Sequence, residues 1–517
     1  MTEPKAMPVG EIQRRAIAGS MWTVFHVVVY LPIAFLANAL VARSLGVESY
    51  GYLAFLSVAM GFSLVFANFG FTTAFIQRGG RAEAGGRSGE SVDLLRRSLG
   101  FHIIVELPIL VTVALVLTRA DPWWEVAALV AAVVFTCVLS GAALSIVIEN
   151  RTAAAAQLAI GVNLIVQGAT VMVAVSTRSA SAVFVVRLFV GAICLGFGFM
   201  LLDGDKRWAA ISPRLPRGLS REFWRFALFS WAASLVTLLV FQRTEIFVLK
   251  AFGQAEALGV YAVAFGLAQQ LTAPVDALLF PLLPAVAGIL SEWPEHSRAT
   301  FERSTRVSAL MCGGVAAVVL PLLVFSIPLF YGRGFGQVSW VLVPLALASI
   351  FQSVNNPVIA FVNARERGGL RLKVTSVALL VDLVIAVALI PELGVWGATT
   401  AAVAGQALAM GWLAASEPLT RDRGFVGVSQ LYRSLLVGVG VSGAALVVGA
   451  VVQSRSVILA PLIACGLGGA LYAIAVKLSR SGLVAEDSNA LVSSVSPRLR
   501  VGISWVLRPF TLPDQSC

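Results

Sequence analysis

Ionisable side chains interrupt long apolar stretches of the sequence, and five of them are Glu106, Arg187, Arg243, Asp276 and Asp382. A charged group among apolar groups is costly, so each of the five is a candidate for function. A carboxylate in such a place can exchange protons or bind Na+, or it can be satisfied by neighbouring hydroxyl and backbone groups. An arginine can bind phosphate, because its guanidinium donates paired hydrogen bonds to phosphate oxygens. The surroundings of these five groups therefore decide their chemistry.

The composition predicts that these surroundings are a lipid bilayer. Of the 517 residues, 58% are hydrophobic and only 13% are charged. A soluble protein has about 25% charged residues. Inside a bilayer the backbone polar groups must bond to one another, which favours helices of about 20 apolar residues. We therefore expect an all-α integral membrane protein.

Fourteen apolar stretches are long enough to cross a bilayer as helices. They lie at about 20–42, 50–74, 99–118, 125–148, 153–175, 181–202, 227–249, 258–281, 307–330, 338–362, 374–391, 394–416, 435–452 and 457–478. With both termini in the cytoplasm, the inner loops and tails carry about five times as many Lys and Arg residues as the outer loops, the bias typical of cytoplasmic loops. The same bias accounts for the net charge of +11 without nucleic-acid binding.

The cysteines and the loops disfavour several classes of function. Four of the five cysteines lie in apolar stretches and none forms a CxxC motif, so neither a disulfide framework nor a metal site is expected. The predicted loops are too short to hold a soluble catalytic domain. An enzyme, such as a membrane glycosyltransferase or polymerase, is therefore not favoured, and no cofactor is expected.

A polar hinge of similar sequence occurs twice, six predicted spans apart. The first hinge contains Gly46 and Tyr50, and the second contains Gly253, Gly259 and Tyr261. Because six is an even number, the two segments that follow cross the membrane in the same direction. This parallel repeat predicts two six-helix lobes related by a pseudo-two-fold axis along the membrane normal. Transporters built in this way enclose a cavity between their two lobes.

The repeat and the loops together predict how the chain is organised. The predicted parts are a cytoplasmic tail at 1–19, an N-lobe at 20–202, a cytoplasmic linker at 203–226, a C-lobe at 227–416, a cytoplasmic loop at 417–434, two extra helices at 435–478 and a cytoplasmic tail at 479–517.

Three stretches of the sequence resemble a known family: VARSLGVESYGYLAF, LGVYAVAFGLAQQLTAPVDALLFPLLPAVAGIL and IPELGVWGATTAAVAGQ. They are similar to bacterial flippases of O-antigen and exopolysaccharide repeat units, which belong to the multidrug/oligosaccharidyl-lipid/polysaccharide exporter superfamily. The resemblance implies transport of polyprenyl-diphosphate-linked oligosaccharide across the bacterial cytoplasmic membrane by alternating access, for cell-surface polysaccharide biosynthesis. The implied partners are membrane lipid, this glycan and other polysaccharide-assembly proteins, and no nucleic acid is implied.

With a substrate of this class, the polar residues of the spans have candidate roles. Arg187 and Arg243 would draw the diphosphate headgroup through the cavity. Alternatively, each arginine pairs with a nearby carboxylate, such as Glu245, or with lipid headgroups. The three carboxylates in the apolar stretches, Glu106, Asp276 and Asp382, are the candidates for ion coupling. The other residues expected to contact the substrate are Glu245, Asn38, Asn68, Asn355 and Asn356.

Two alternatives of other classes remain open. One is an ion-coupled multidrug antiporter of the same fold, whose cavity should be acidic or apolar, so that Arg187 and Arg243 speak against it. The other is a non-transporting scaffold in a glycan-assembly complex, which would use the basic loops and tails.

Overall fold

The computed structural model shows a chain of helices joined by short loops. The described residues are 27, 29–84, 86–118, 122–148, 152–202, 204–241, 244–279, 282, 286, 289–290, 294–365, 367–421, 424–483 and 510–511. Within these ranges the β-type pairing is a single bridge between Leu483 and Thr511. The prediction of an all-α membrane protein is therefore confirmed.

The first of two compact units is Met1–Gly259. It contains eleven helices in its described part and the first residues of a twelfth. Their bounds are α1 Val29–Leu45, α2 Val47–Asn68, α3 Phe71–Ala84, α4 Ser88–Phe101, α5 Leu107–Leu117, α6 Trp123–Ile148, α7 Thr152–Thr177, α8 Ala180–Leu195, α9 Gly204–Ile211, α10 Arg221–Phe241 and α11 Thr244–Ala251. Helix α12, Ala255–Leu279, begins in this unit.

The second compact unit is Val260–Cys517. It contains most of α12 and, among its described residues, ten further helices. Their bounds are α13 Ser297–Gly314, α14 Leu320–Phe330, α15 Val338–Val354, α16 Asn356–Ala364, α17 Gly368–Leu393, α18 Val395–Ser416, α19 Pro418–Arg421, α20 Gly424–Leu431, α21 Arg433–Gln453 and α22 Leu459–Leu478.

Many of these helices are long and apolar enough to cross a bilayer. Within the described ranges there are ten such spans, or twelve if each of two bent helix pairs forms one span. Helices α10 and α11 form one bent pair, with an angle of 60°, and α15 and α16 form the other, with an angle of 40°. Helix α1 has only 17 residues in the described part. The count of fourteen spans therefore stays a prediction.

Two spans contain a widened π-helical turn at a similar place. His102–Glu106 joins α4 to α5, and the Leu107 amide donates to the His102 carbonyl, five residues earlier. Val315–Val319 joins α13 to α14 with the same bond, from Leu320 to Val315. In each case a Leu-Pro pair starts the next helix. Proline has no N–H to donate, so a locally altered bonding pattern is expected at this point.

The outward faces of the long helices are apolar, as lipid contact requires. Leu380 and Val384 on α17 are 62% and 68% exposed, and Val447 on α21 is 67% exposed. Small residues instead lie where helices meet. A Cβ atom on Gly438 would lie 2.3 Å from the Gly313 carbonyl oxygen, so α21 and α13 are in backbone contact. Gly438 thus has a packing role in α21.

An aromatic cluster fixes the packing of α3, α4 and α10 in the first unit. The rings of Phe71 and Phe101 are stacked with their centroids 4.2 Å apart, and Phe223 meets Phe71 edge-on at 5.2 Å. All three side chains are buried. Offset and edge-on aromatic pairs contribute about 0.5–1.5 kcal/mol each beyond area burial. These buried aromatic contacts therefore stabilise the packing of the three helices against one another.

Candidate functional site

Two polar clusters, each at least partly buried, lie within the apolar helices, one in each compact unit. The first is built around the π-helical turn that ends at Glu106. His102 Nδ1 makes a short hydrogen bond with Glu106 Oε2, and both side chains are buried. Residues four apart are neighbours on one face of a helix, and His102 and Glu106 have this spacing. The sequence therefore positions this pair by local geometry alone.

Asn68 at the end of α2 completes this first cluster. Its Nδ2 donates to Thr72 Oγ1 at 2.7 Å and approaches Glu106 Oε2 at 3.4 Å, and its Oδ1 accepts from the Thr72 amide at 3.1 Å. Helix α2 ends just after Asn68, where Phe69 adopts a left-handed conformation with φ of 47°. The structure thus brings together two predicted site residues, Asn68 and Glu106.

An imidazole and a carboxylate in an apolar setting can share and pass on one proton. His102 Nε2 is buried and has no hydrogen-bond partner among the described residues. Either ring nitrogen can carry the proton, so the pair can change its bonding pattern without moving the backbone. The arrangement is suited to binding or relaying a proton inside the membrane.

The second cluster surrounds Asp276 of α12. Its Oδ1 accepts hydrogen bonds from Ser353 Oγ at 2.5 Å and from Asn356 Nδ2 at 2.8 Å. Ser353 lies at the end of α15, and Asn356 begins α16, so the carboxylate spans the 40° break between these two helices. Pro357 follows directly and favours a helix start at this place. The structure thus brings together Asp276 and Asn356, both predicted site residues.

Asn355 lies at the break itself, but its side chain bonds elsewhere. Its Nδ2 donates to the Phe351 carbonyl at 2.7 Å, and its Oδ1 accepts from the Tyr432 hydroxyl at 3.0 Å. The side chain is buried, with 1% of the residue exposed. Both ends of this amide are therefore engaged within the protein.

Asp382 lies on α17 where this helix meets α18. A Cβ atom on Gly405 would lie 3.0 Å from the Asp382 Cβ, so the two helices approach closely at the carboxylate. Asp382 and Gln406 are both buried. The third candidate for ion coupling is therefore enclosed between two helices of the second unit.

Of the two candidate arginines, Arg187 is described. It lies in the middle of α8, is partly buried, and makes no ion pair with another residue of the described ranges. Arg243 lies outside the described residues. Glu245, two residues later on α11, is buried. Asn38 on α1 is partly buried.

The predicted hinge glycines occupy special positions. Gly46 and Gly253 have φ of 80° and 70°, which favours glycine. Gly259 lies against α2: a Cβ atom there would be 2.1 Å from the Val47 carbonyl oxygen. Tyr50 is partly buried, and Tyr261 is fully buried.

Sequence reasoning missed His102 and Ser353. The spacing of four between His102 and Glu106 in an apolar helix was a usable signal. No signal in the sequence pointed to Ser353, because it is the fold that brings this residue to Asp276. Within the described ranges, no group of three or more His, Cys, Asp or Glu side chains is arranged to hold a metal ion.

The fold is similar to that of known transporters. A structure of the lipid II flippase MurJ in an inward closed conformation matches with 13% identity and a TM-score of 0.63, over 89% of this chain and 98% of that chain. A structure of a variant of the Vibrio cholerae MATE transporter VcmN matches with 14% identity and a TM-score of 0.50, over 80% and 99%. At these identities the likeness concerns the fold.

The sequence comparisons give the family. No protein of curated function matches this sequence significantly. Residues 40–340 match the family described as "Polysaccharide biosynthesis protein", which is more than half of the chain. The fold is similar to that of a membrane transporter, and the sequence match shows that the chain belongs to this polysaccharide biosynthesis family.

Proposed function

We propose that the protein flips polyprenyl-diphosphate-linked oligosaccharides from the inner to the outer leaflet of the bacterial cytoplasmic membrane, for cell-surface polysaccharide biosynthesis. The observation that carries this proposal is the polysaccharide biosynthesis family match at 40–340 in a chain with a transporter fold. A transporter that serves polysaccharide biosynthesis must move a glycan, and a glycan on a lipid carrier is already in the membrane.

The cycle we propose is alternating access driven by an ion. Glu106 and Asp276 are the first candidates to bind a proton or Na+, and Asp382 is the third. Both clusters lie at irregular points in helices, the π turn beside Glu106 and the break beside Asp276. An ion that binds one conformation better than the other shifts the equilibrium between them. Neutralising either carboxylate would change hydrogen bonds at these points.

Arg187 and Arg243 are the proposed ligands of the diphosphate. Support for Arg187 comes from its place in the apolar helix α8 and from the lack of an ion pair with any described residue. A guanidinium without a carboxylate partner is free to bind phosphate oxygens in pairs. Asn38, Asn68, Asn355, Asn356 and Glu245 stay the further residues that we predict to contact the substrate.

The orientation is part of the same proposal. The excess of Lys and Arg in alternate loops supports cytoplasmic N- and C-termini. Other polysaccharide-assembly proteins would then meet the basic loops on the inner surface.

The test is a leaflet assay in a strain that lacks this gene. An impermeant lectin on spheroplasts reports the lipid-linked glycan of the outer leaflet. We expect loss of the outer signal in the deletion strain, recovery with the wild-type gene, and poor recovery with Arg187→Ala. Arg455→Ala, which removes an exposed arginine from a short turn, is the matched control and should restore the signal. Normal outer-leaflet glycan in the deletion strain, with redundant genes removed, would reject the proposal.

A further inference from the structure

A cavity of about 360 Å³ opens in the first unit beside the aromatic cluster of α3, α4 and α10. It lies between the second half of α3, the start of α4 and the first turn of α10. Arg78, Arg81 and Arg87 line it, together with Ser220 and Phe226. Its size falls within the range of about 300–1,000 Å³ that is usual for small-ligand pockets.

The positive charges of this arginine cavity are only partly neutralised. Glu90 binds two of the arginines: Arg87 Nη1 lies 2.7 Å from its Oε2, and Arg78 Nε lies 3.5 Å from its Oε1. Arg81 is exposed and makes no ion pair with any residue of the described part. One carboxylate therefore serves two guanidinium groups, and the third has none.

The N-terminus of α10 adds to this positive field. The Phe223 amide donates to Ser220 Oγ at 3.2 Å, so Ser220 caps the helix. Arg78 Nη1 donates to the same hydroxyl at 3.2 Å, which holds this guanidinium over the first turn. The first turn of a long helix carries a partial positive charge that favours anions. Three guanidinium groups and a helix start thus converge on one cavity.

One wall of the cavity is apolar. Phe226, one turn along α10 from the cap, lines the cavity and is 37% exposed. Phe223 lies behind it and is buried. An anion with an attached apolar group fits such a mixed lining, because the charge can meet the arginines while the apolar part lies along the phenylalanine.

We propose that the arginine cavity binds a phosphate group, on a lipid headgroup at the membrane surface or on a soluble phosphate compound. Arg81 is the main ligand, and Arg78 and the start of α10 support it. This inference goes beyond the proposed function, because the site is complete within the first unit and its occupancy requires no transport.

A glutamate in the cavity lining should weaken phosphate binding, so removing its charge should strengthen binding. Glu222 is exposed, lines the cavity and makes no ion pair with any residue in the described ranges. Its negative charge repels phosphate. Glu222→Gln should therefore tighten phosphate binding, whereas Arg81→Gln should weaken it about tenfold, since it removes a charge-assisted hydrogen bond.

The experiment uses the full-length protein in two arms. In the soluble arm, calorimetry measures binding of inorganic diphosphate to protein in phosphatidylcholine nanodiscs. In the lipid arm, native mass spectrometry counts phosphatidic acid retained by protein from nanodiscs that contain it. Arg225→Gln is the matched control, because Arg225 is exposed on α10 next to Phe226 but does not itself line the cavity. Saturable binding in one arm, weakened by Arg81→Gln and not by Arg225→Gln, supports the proposal and identifies the source of the phosphate.

Two outcomes would overturn the proposal. One is no saturable binding in either arm. The other is that Arg81→Gln and Arg225→Gln weaken binding equally, which would show a general effect of charge. Should Arg81→Gln not purify as a monodisperse protein, Glu222→Gln decides: binding no tighter than that of the wild type rejects the phosphate site.

Discussion

Gly51 and Gly259 touch backbone to backbone. A Cβ atom on Gly51 would lie 2.7 Å from the Gly259 amide nitrogen, and a Cβ atom on Gly259 would lie 2.1 Å from the Val47 carbonyl oxygen. The two predicted hinges are far apart in sequence, yet their helices α2 and α12 meet at these glycines. Any side chain here must push the helices apart.

We expect Gly51→Ala and Gly259→Ala to lower the Tm of the purified protein. Overpacking of this kind costs typically about 1–3 kcal/mol. Gly61→Ala on α2 and Gly266→Ala on α12 are matched controls, because a Cβ atom at either place would meet nothing within 4 Å. In the controls, alanine should be neutral or stabilising, since it favours helix more than glycine does. Equal shifts in Tm for all four variants would contradict the prediction.

The Asp276 cluster should stabilise the break between α15 and α16. Ser353→Ala removes a charge-assisted hydrogen bond to a partly buried carboxylate, and we expect a loss of about 1.5–3 kcal/mol in the free energy of unfolding. Ser57→Ala is the control, because the Ser57 hydroxyl donates to the Leu53 carbonyl of its own helix rather than to a carboxylate. Denaturant titration in detergent measures both. An unchanged stability of Ser353→Ala would show that this bond is not formed in solution.

His102 and Glu106 should act as one unit. In a double-mutant cycle with His102→Gln and Glu106→Gln, we expect a coupling free energy of about 0.5–3 kcal/mol, because each single change leaves the other buried group without its partner. Glu48 is exposed on α2, so a control cycle that combines His102→Gln with Glu48→Gln should give additive effects. Additivity of His102→Gln and Glu106→Gln would argue against a functional pair.

The buried carboxyl of Glu417, which lies outside the spans, should make the stability of the protein depend on pH. This carboxyl follows α18 and is fully buried, with its Oε1 3.2 Å from Arg365 Nη1. Burial raises its pKa above the ordinary value, and the attraction of Arg365 and Arg367 offsets this only in part. The folded protein therefore favours the neutral acid. The stability that the neutral Glu417 carboxyl contributes is fully present at pH values below its pKa in the unfolded chain. It is lost as the pH rises through its pKa in the folded protein.

Comparison with Glu417→Gln isolates this contribution. The Tm of the wild type minus that of Glu417→Gln should fall as the pH rises from about 4 to about 7. Glu392→Gln, which changes an exposed carboxyl at the end of α17, should show a flat difference. A wild-type advantage that grows with pH would mean that the ion pair with Arg365 outweighs burial.

The helices could be predicted from the sequence because lipid leaves the backbone few choices. A run of about 20 apolar residues must bond internally, so the run itself marks the helix. Helix α6, Trp123–Ile148, and helix α21, Arg433–Gln453, lie where the predicted spans at 125–148 and 435–452 place them. The family resemblance that rests on the repeated hinge is confirmed as well.

The polar contacts could not be predicted in the same way. Asn355 and Asn356 are neighbours and look equivalent in the sequence. The break between α15 and α16 turns one amide toward Tyr432 and the other toward Asp276. Such a difference depends on the angle of a single peptide unit and on partners about 80 residues away in the chain. The charges in the spans were visible in the sequence, but their partners were not.

The two π-helical turns give each unit one surplus residue in a span. An α-helix advances about 100° per residue, so a turn that lost its surplus residue would rotate everything beyond it by that angle. In the first unit the turn carries the hydrogen-bonded pair of His102 and Glu106, and in the second, where the turn reads VAAVV, it carries only valine and alanine. A rotation at the first turn would therefore reorient a buried polar pair, whereas the same rotation at the second turn would reorient apolar side chains alone.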